Sequence, residues 1–93
     1  MLNEKIKKLR ISYNMSQVDL AKRLGVSKQC VSNWENDNVQ PSIEMLIKIA
    51  RFFNVSTDYL LDLDEKDLID VRGLSETEIA HIKLLIQDLI DKS

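Results

Sequence analysis

The chain has 93 residues, 44% hydrophobic and 30% charged, enough for one small globular unit with an appendage and too few for two ordinary cores or a large enclosed active site. One Cys and one His allow neither an internal disulfide nor a zinc ligand set, no apolar run approaches the roughly 18 residues that cross a bilayer, and MLNEKIKKLR lacks the apolar stretch of a signal peptide. The net charge of −2 hides an asymmetry: residues 1–54 carry nine basic against five acidic side chains, whereas 55–93 carry four basic against ten acidic. A cytoplasmic protein without metal or cofactor is expected, with a basic contact surface in its first part and a different task for its tail.

Leu2, Ile6, Leu9 and Tyr13 follow helical spacing and make one face of a first helix. Asn14-Met15-Ser16 interrupts it, and Ser16 is an N-cap for a second helix over Gln17 to Leu24, with Val18, Leu20, Ala21 and Leu24 inward. Gly25 ends that helix, since a residue tolerant of positive φ does so at least cost. Ser27 caps a third helix reaching about Glu35, and the loop NDNVQP leads to Ser42 as the next cap. Ile43, Leu46, Ile47, Ala50 and Phe53 predict an amphipathic fourth helix, and Ser56 opens a short fifth one containing Tyr59, Leu60 and Leu61. No convincing strand alternation is present, so the fold class is all-α.

From Asp62 the chain turns acidic, and a solvated connector is the simplest reading of 63–73, although Leu63, Leu68, Ile69 and Val71 would let part of it dock as a helix. The segment 74–93 carries a complete start signal, with Ser75 as cap, Glu78 as capping-box partner and Leu74 placed to staple against Ile79. Ile79, Ile82, Ile86 and Leu89, widened by Leu85 and Ile90, form an aliphatic stripe that needs burial against something. Self-association across a two-fold axis suits it better than folding back, because the preceding helices already have apolar faces enough to close their own core.

Two short helices joined at a glycine turn describe a helix-turn-helix, whose second helix enters the major groove of DNA. At about 100° per residue, Lys28, Gln29, Ser32 and Asn33 span about 140° of the third helix, while Val31 and Trp34 share a separate arc. One side packs and the other reaches outward. Gln29 and Asn33 can each bond bidentately to an adenine edge, and Lys28 can donate to guanine N7 and O6.

These residues resemble the Cro and lambda-type repressor helix-turn-helix family. The resemblance rests on Gln17, Leu20, Ala21, Gly25, Val26, Ser27, Val31, Trp34, Glu35, Asn36 and Pro41, then on the run Phe53-Asn54-Val55-Ser56-Thr57-Asp58-Tyr59-Leu60-Leu61. It implies a five-helix lambda-repressor-like DNA-binding domain over 1–62, followed here by the connector and a C-terminal amphipathic helix. It further implies that Ser27, Lys28, Gln29 and Asn33 meet bases or adjoining phosphates, with Ser32 on the same face. By the same resemblance Gln17 meets a phosphate, and Asn36, Asn38 and Gln40 lie where the loop meets the DNA backbone. Some relatives carry Lys or Arg in that loop and this chain does not, which leaves Lys7, Lys8 or Arg10 as contributors. Arg10 and Glu35 match a pair that bridges the first and third helices.

The implied protein is no enzyme but a transcriptional regulator, a repressor binding double-stranded palindromic DNA as a homodimer through helix 28–35, without contact with a membrane. An alternative is an antitoxin-like interaction module whose C-terminal helix binds a different protein. A redox switch at Cys30, near a helix N-terminus and close to Lys28, would need a resolving partner that a lone Cys lacks, so Cys30 reads better as a small semi-buried residue.

Overall fold

The computed structural model describes residues 1–92 and, among them, contains helices and no strand. In chain order these are α1 (Leu2–Ser12), α2 (Gln17–Leu24), α3 (Lys28–Glu35), α4 (Ile43–Phe52), α5 (Thr57–Leu60) and α6 (Glu76–Asp91). A serine precedes every helix after α1, and its hydroxyl accepts the backbone N–H three residues on, one of the donors a helix start leaves unpaired. The donors are Asp19 to Ser16, Cys30 to Ser27, Met45 to Ser42, Tyr59 to Ser56 and Glu78 to Ser75, all at 3.0 to 3.1 Å. Asp19 and Glu78 complete the box by accepting the backbone N–H of Ser16 and Ser75, bonds that hold both carboxyls below their ordinary pKa.

Ile6, Leu20, Leu24, Val31, Ile49 and Leu60 are fully buried and bring side chains from α1 to α5 into one core, which Trp34 and Phe53 complete. Gly25 ends α2 in the left-handed region at φ 74°, where a side chain is strained. Lys48 of α4 then reaches across and donates to the Leu24 carbonyl at 2.7 Å, a second lock on the end of α2.

Three expected inward positions face out. Val18 is exposed because Leu20, Ala21 and Leu24 already fill the face of α2 turned to the core. On α4 Ile43 and Ile47 are exposed, and the buried stripe runs instead through Ile49, Ala50 and Phe53, with Met45 and Leu46 against it. Apolar residues occur on nearly every face of that helix, so its periodicity leaves the phase open, and packing against the other helices decides it.

The connector is not helical. Asn54, at the left-handed turn after α4 (φ 52°), accepts the Asp70 backbone N–H at 2.8 Å and donates to the Asp70 carbonyl at 3.5 Å. This two-way amide contact holds a non-helical segment over the end of α4, where Leu68 and Ile69 line an open groove with Ile47 and Val55.

A second tie joins the two ends of the five-helix unit. Asp62, also left-handed at φ 61°, accepts from Lys5 Nζ at 2.7 Å and from the Met1 amine at 2.7 Å. Lys5 also lies 3.9 Å from the centroid of the Tyr59 ring. The hydrogen bond from Lys5, then that from the Met1 amine, lowers the Asp62 pKa from 3.8 to about 2. Because the folded value is the lower one, the stabilisation is complete well above pH 3.8 and disappears as pH falls through about 2. Thermal unfolding of Asp62→Asn is therefore expected to lose less stability than the parent between about pH 5 and pH 2; parallel acid limbs would show that this carboxylate is uncoupled from folding.

Candidate nucleic-acid interface

α2 and α3 pack closely, joined by Gly25, Val26 and Ser27. Val31 and Trp34 are buried on the inner side of α3, and Lys28 and Gln29 are exposed on the other, with Ser32 and Asn33 half-buried at its margin. Ser27 is exposed, its hydroxyl turned to the helix it caps. Gln29 Nε2 donates to Asn33 Oδ1 at 3.0 Å, and Asn36 Nδ2 donates to Ser32 Oγ at 3.3 Å, so the outward face holds two side-chain pairs at the i, i+4 spacing.

After α3 the chain reverses at Asp37 (φ 58°), and the backbone N–H groups of Asn38 and Val39 both turn to the Asn33 carbonyl, at 2.9 and 3.3 Å. Asn36, Asn38 and Gln40 are exposed beside the end of α3. Apart from Lys28, this loop-and-helix face carries no lysine or arginine.

Beneath that face lies a charged brace. Arg10 Nε donates to Glu35 Oε2 at 2.7 Å and Nη2 to Oε1 at 2.9 Å, a bidentate fork, while Nη1 donates to the Met15 carbonyl at 2.8 Å. The Glu35 side chain is only 2% exposed and that of Arg10 11%. The hydrogen bonds that Arg10 donates to Glu35 raise its pKa above the ordinary value, so the guanidinium stays charged at any working pH. Arg10 is thereby turned inward with all three nitrogens engaged, which removes it from the expected phosphate contributors; Lys7 and Lys8 remain exposed on α1.

Gln17 joins the same brace, its Nε2 donating to Glu35 Oε1 at 3.2 Å from the first turn of α2. Asn3 Nδ2 approaches the Glu35 carbonyl at 3.5 Å. One carboxylate thus ties together the start of α2, the end of α3 and the body of α1. Lys48 and Asn3 support the motif without any sequence signal, because their partners are backbone carbonyls of residues remote in the chain.

The helix-turn-helix family profile matches residues 6–60, more than half of the chain. The chain belongs to this family, in its Cro and lambda-repressor branch. Over 93 residues it is 33% identical to the HTH-type transcriptional regulator ImmR of Bacillus subtilis, covering 98% of this chain and 69% of ImmR. It is 41% identical over 76 residues to the HTH-type transcriptional activator BcrR of Enterococcus faecalis, covering 82% of this chain but only 35% of that protein.

Among solved structures, the P22 c2 repressor in complex with synthetic operator 9T matches with a TM-score of 0.64 and 33% identity, over 69% of this chain and 97% of that one. One chain of a solved complex of the SinR and SinI proteins matches with a TM-score of 0.62 and 26% identity, over 100% of this chain and 100% of that one. The helix-turn-helix protein is accordingly a DNA-binding transcriptional regulator and not an enzyme.

The likeness to the operator complex covers 69% of the chain, whereas the match over the full length takes in α6 as well. That helix has no buried residue: Ile79 and Ile82 are half-buried, and Leu85, Ile86, Leu89 and Ile90 are exposed. No helix among the described residues is long and apolar enough to cross a membrane.

Proposed function

We propose that the protein is a sequence-specific cytoplasmic repressor that binds a palindromic operator as a dimer, with α3 in the major groove. The observation that carries this reading is the division of α3, whose Val31 and Trp34 anchor it in the core while Lys28, Gln29 and Asn33 lie on its outer side. In this reading Gln29, Asn33 and Lys28 meet base edges, and Ser27 and Ser32 meet bases or the phosphates beside them. Gln17, presented by the first turn of α2, and Asn36, Asn38 and Gln40 meet the sugar-phosphate backbone and fix the register. Repression follows from occupancy, since a protein seated on a promoter excludes others from it. The operator-bound relative supports the docking mode.

Dimerisation is assigned to the stripe Ile79, Ile82, Leu85, Ile86, Leu89 and Ile90 of α6, a helix of 16 residues with no buried position. A C2 pair would bury this face and place two copies of α3 one helical turn of DNA apart. Gln29→Ala tests the base-reading role. It should weaken binding to the preferred duplex and leave binding to random duplex unchanged.

A second reading has its own support in the full-length match to a complex of two different proteins. In it α6 binds a non-self partner, as an antitoxin-like module does, and DNA binding is secondary. Co-purification from the native cell separates the two readings, because a stoichiometric partner other than a second copy favours the latter.

A further inference from the structure

Gln29 and Asn33 are joined before any DNA is present, and this bond constrains what each can read. Gln29 Nε2 donates to Asn33 Oδ1 at 3.0 Å. A glutamine amide has two N–H donors and one carbonyl. The bond to Asn33 engages one of those two N–H groups. Gln29 therefore keeps one N–H and Oε1, a donor and an acceptor that match N7 and N6 of adenine.

Asn33 is in the opposite position. Its oxygen already accepts from Gln29, and although a second lone pair remains, an adenine N6 amino group placed there would press against the Gln29 amino group. Its two Nδ2 hydrogens have no acceptor among the described residues. They suit an edge that only accepts: N7 and O6 of guanine, or O4 of thymine.

We propose that Gln29 and Asn33 act as one recognition unit in which Gln29 reads adenine and, by occupying the Asn33 oxygen, turns Asn33 into a reader of guanine or thymine. The bond also holds both side chains in place before binding, so less rotamer freedom is lost on contact. The inference rests on the reading of α3 as the base-contacting helix.

The test is selection of binding sites from random duplex DNA by the full-length protein, by Gln29→Ala and by Asn33→Ala. Gln29 is exposed on α3, and alanine favours helix, so unchanged far-UV circular dichroism should accompany the first variant. The position whose preference flattens in Asn33→Ala is the one Asn33 reads. There the parent should select guanine or thymine, and Gln29→Ala should shift the preference toward adenine by about fivefold or more. Adenine already selected there by the parent, or a preference unmoved in Gln29→Ala, would overturn the coupling while leaving α3 as the reader. A parent with no preference at any position would overturn both the coupling and the reading beneath it.

Discussion

Arg10→Ala should lower the free energy of unfolding by about 3 to 5 kcal/mol, read from urea denaturation. The loss comes less from the attraction removed than from what is left behind. The Glu35 side chain, only 2% exposed, would be left with Gln17 as its remaining side-chain donor, and the Met15 carbonyl would lose the bond from Nη1. Replacing both partners by leucine leaves no stranded carboxyl group, and its cost should be much smaller.

That double variant also separates stability from placement. The fork and Gln17 fix how α3 is set against α1 and the start of α2, so the leucine pair should stay folded yet bind DNA more weakly. A loss below about 1 kcal/mol for Arg10→Ala would mean that the pair behaves as a solvated surface ion pair.

Ending the chain after Gly73 should leave the five-helix unit folded and convert the protein to a monomer. The buried core draws its residues from Ile6 to Leu60, with none from α6, so the truncation removes no core contact. With two linked half-site contacts reduced to one, operator affinity should fall by about 10² to 10⁴-fold. Sedimentation velocity and titration on the same operator read the two effects together. Unchanged mass would take α6 out of self-association.

The local signals of the fold are legible in the sequence because they act within four residues. Ser16, Ser27, Ser42, Ser56 and Ser75 each stand before a periodic apolar run and each caps its helix; Gly25 marks the turn that only a residue tolerant of positive φ closes without strain. The inward placement of Val31 and Trp34 follows from spacing in the same way.

What acts across the chain is not legible there. Nothing near Lys48 announces the Leu24 carbonyl, and nothing near Asp62 announces Lys5. The acidic run looks like free linker because its charges are visible and its backbone contact with Asn54 is not. In α4 the surplus of apolar residues hides the phase, which is why Ile43 and Ile47 turn outward against expectation. At the interface, residue types reveal what Gln29 and Asn33 are able to bond, while the bond between them, which decides how their donors and acceptors are shared out, needs the helix in three dimensions.

Base reading by the outer face of α3 is open to direct test. The direct measurement is the affinity of the parent and of Gln29→Ala for the selected operator and for random duplex, at one fixed salt concentration, because phosphate contacts dominate non-specific binding and vary with salt. Removing a base reader should cost about 1 to 3 kcal/mol on the operator and leave affinity for random duplex unchanged. Equal loss on both duplexes would contradict base reading and make Gln29 a contact to the backbone.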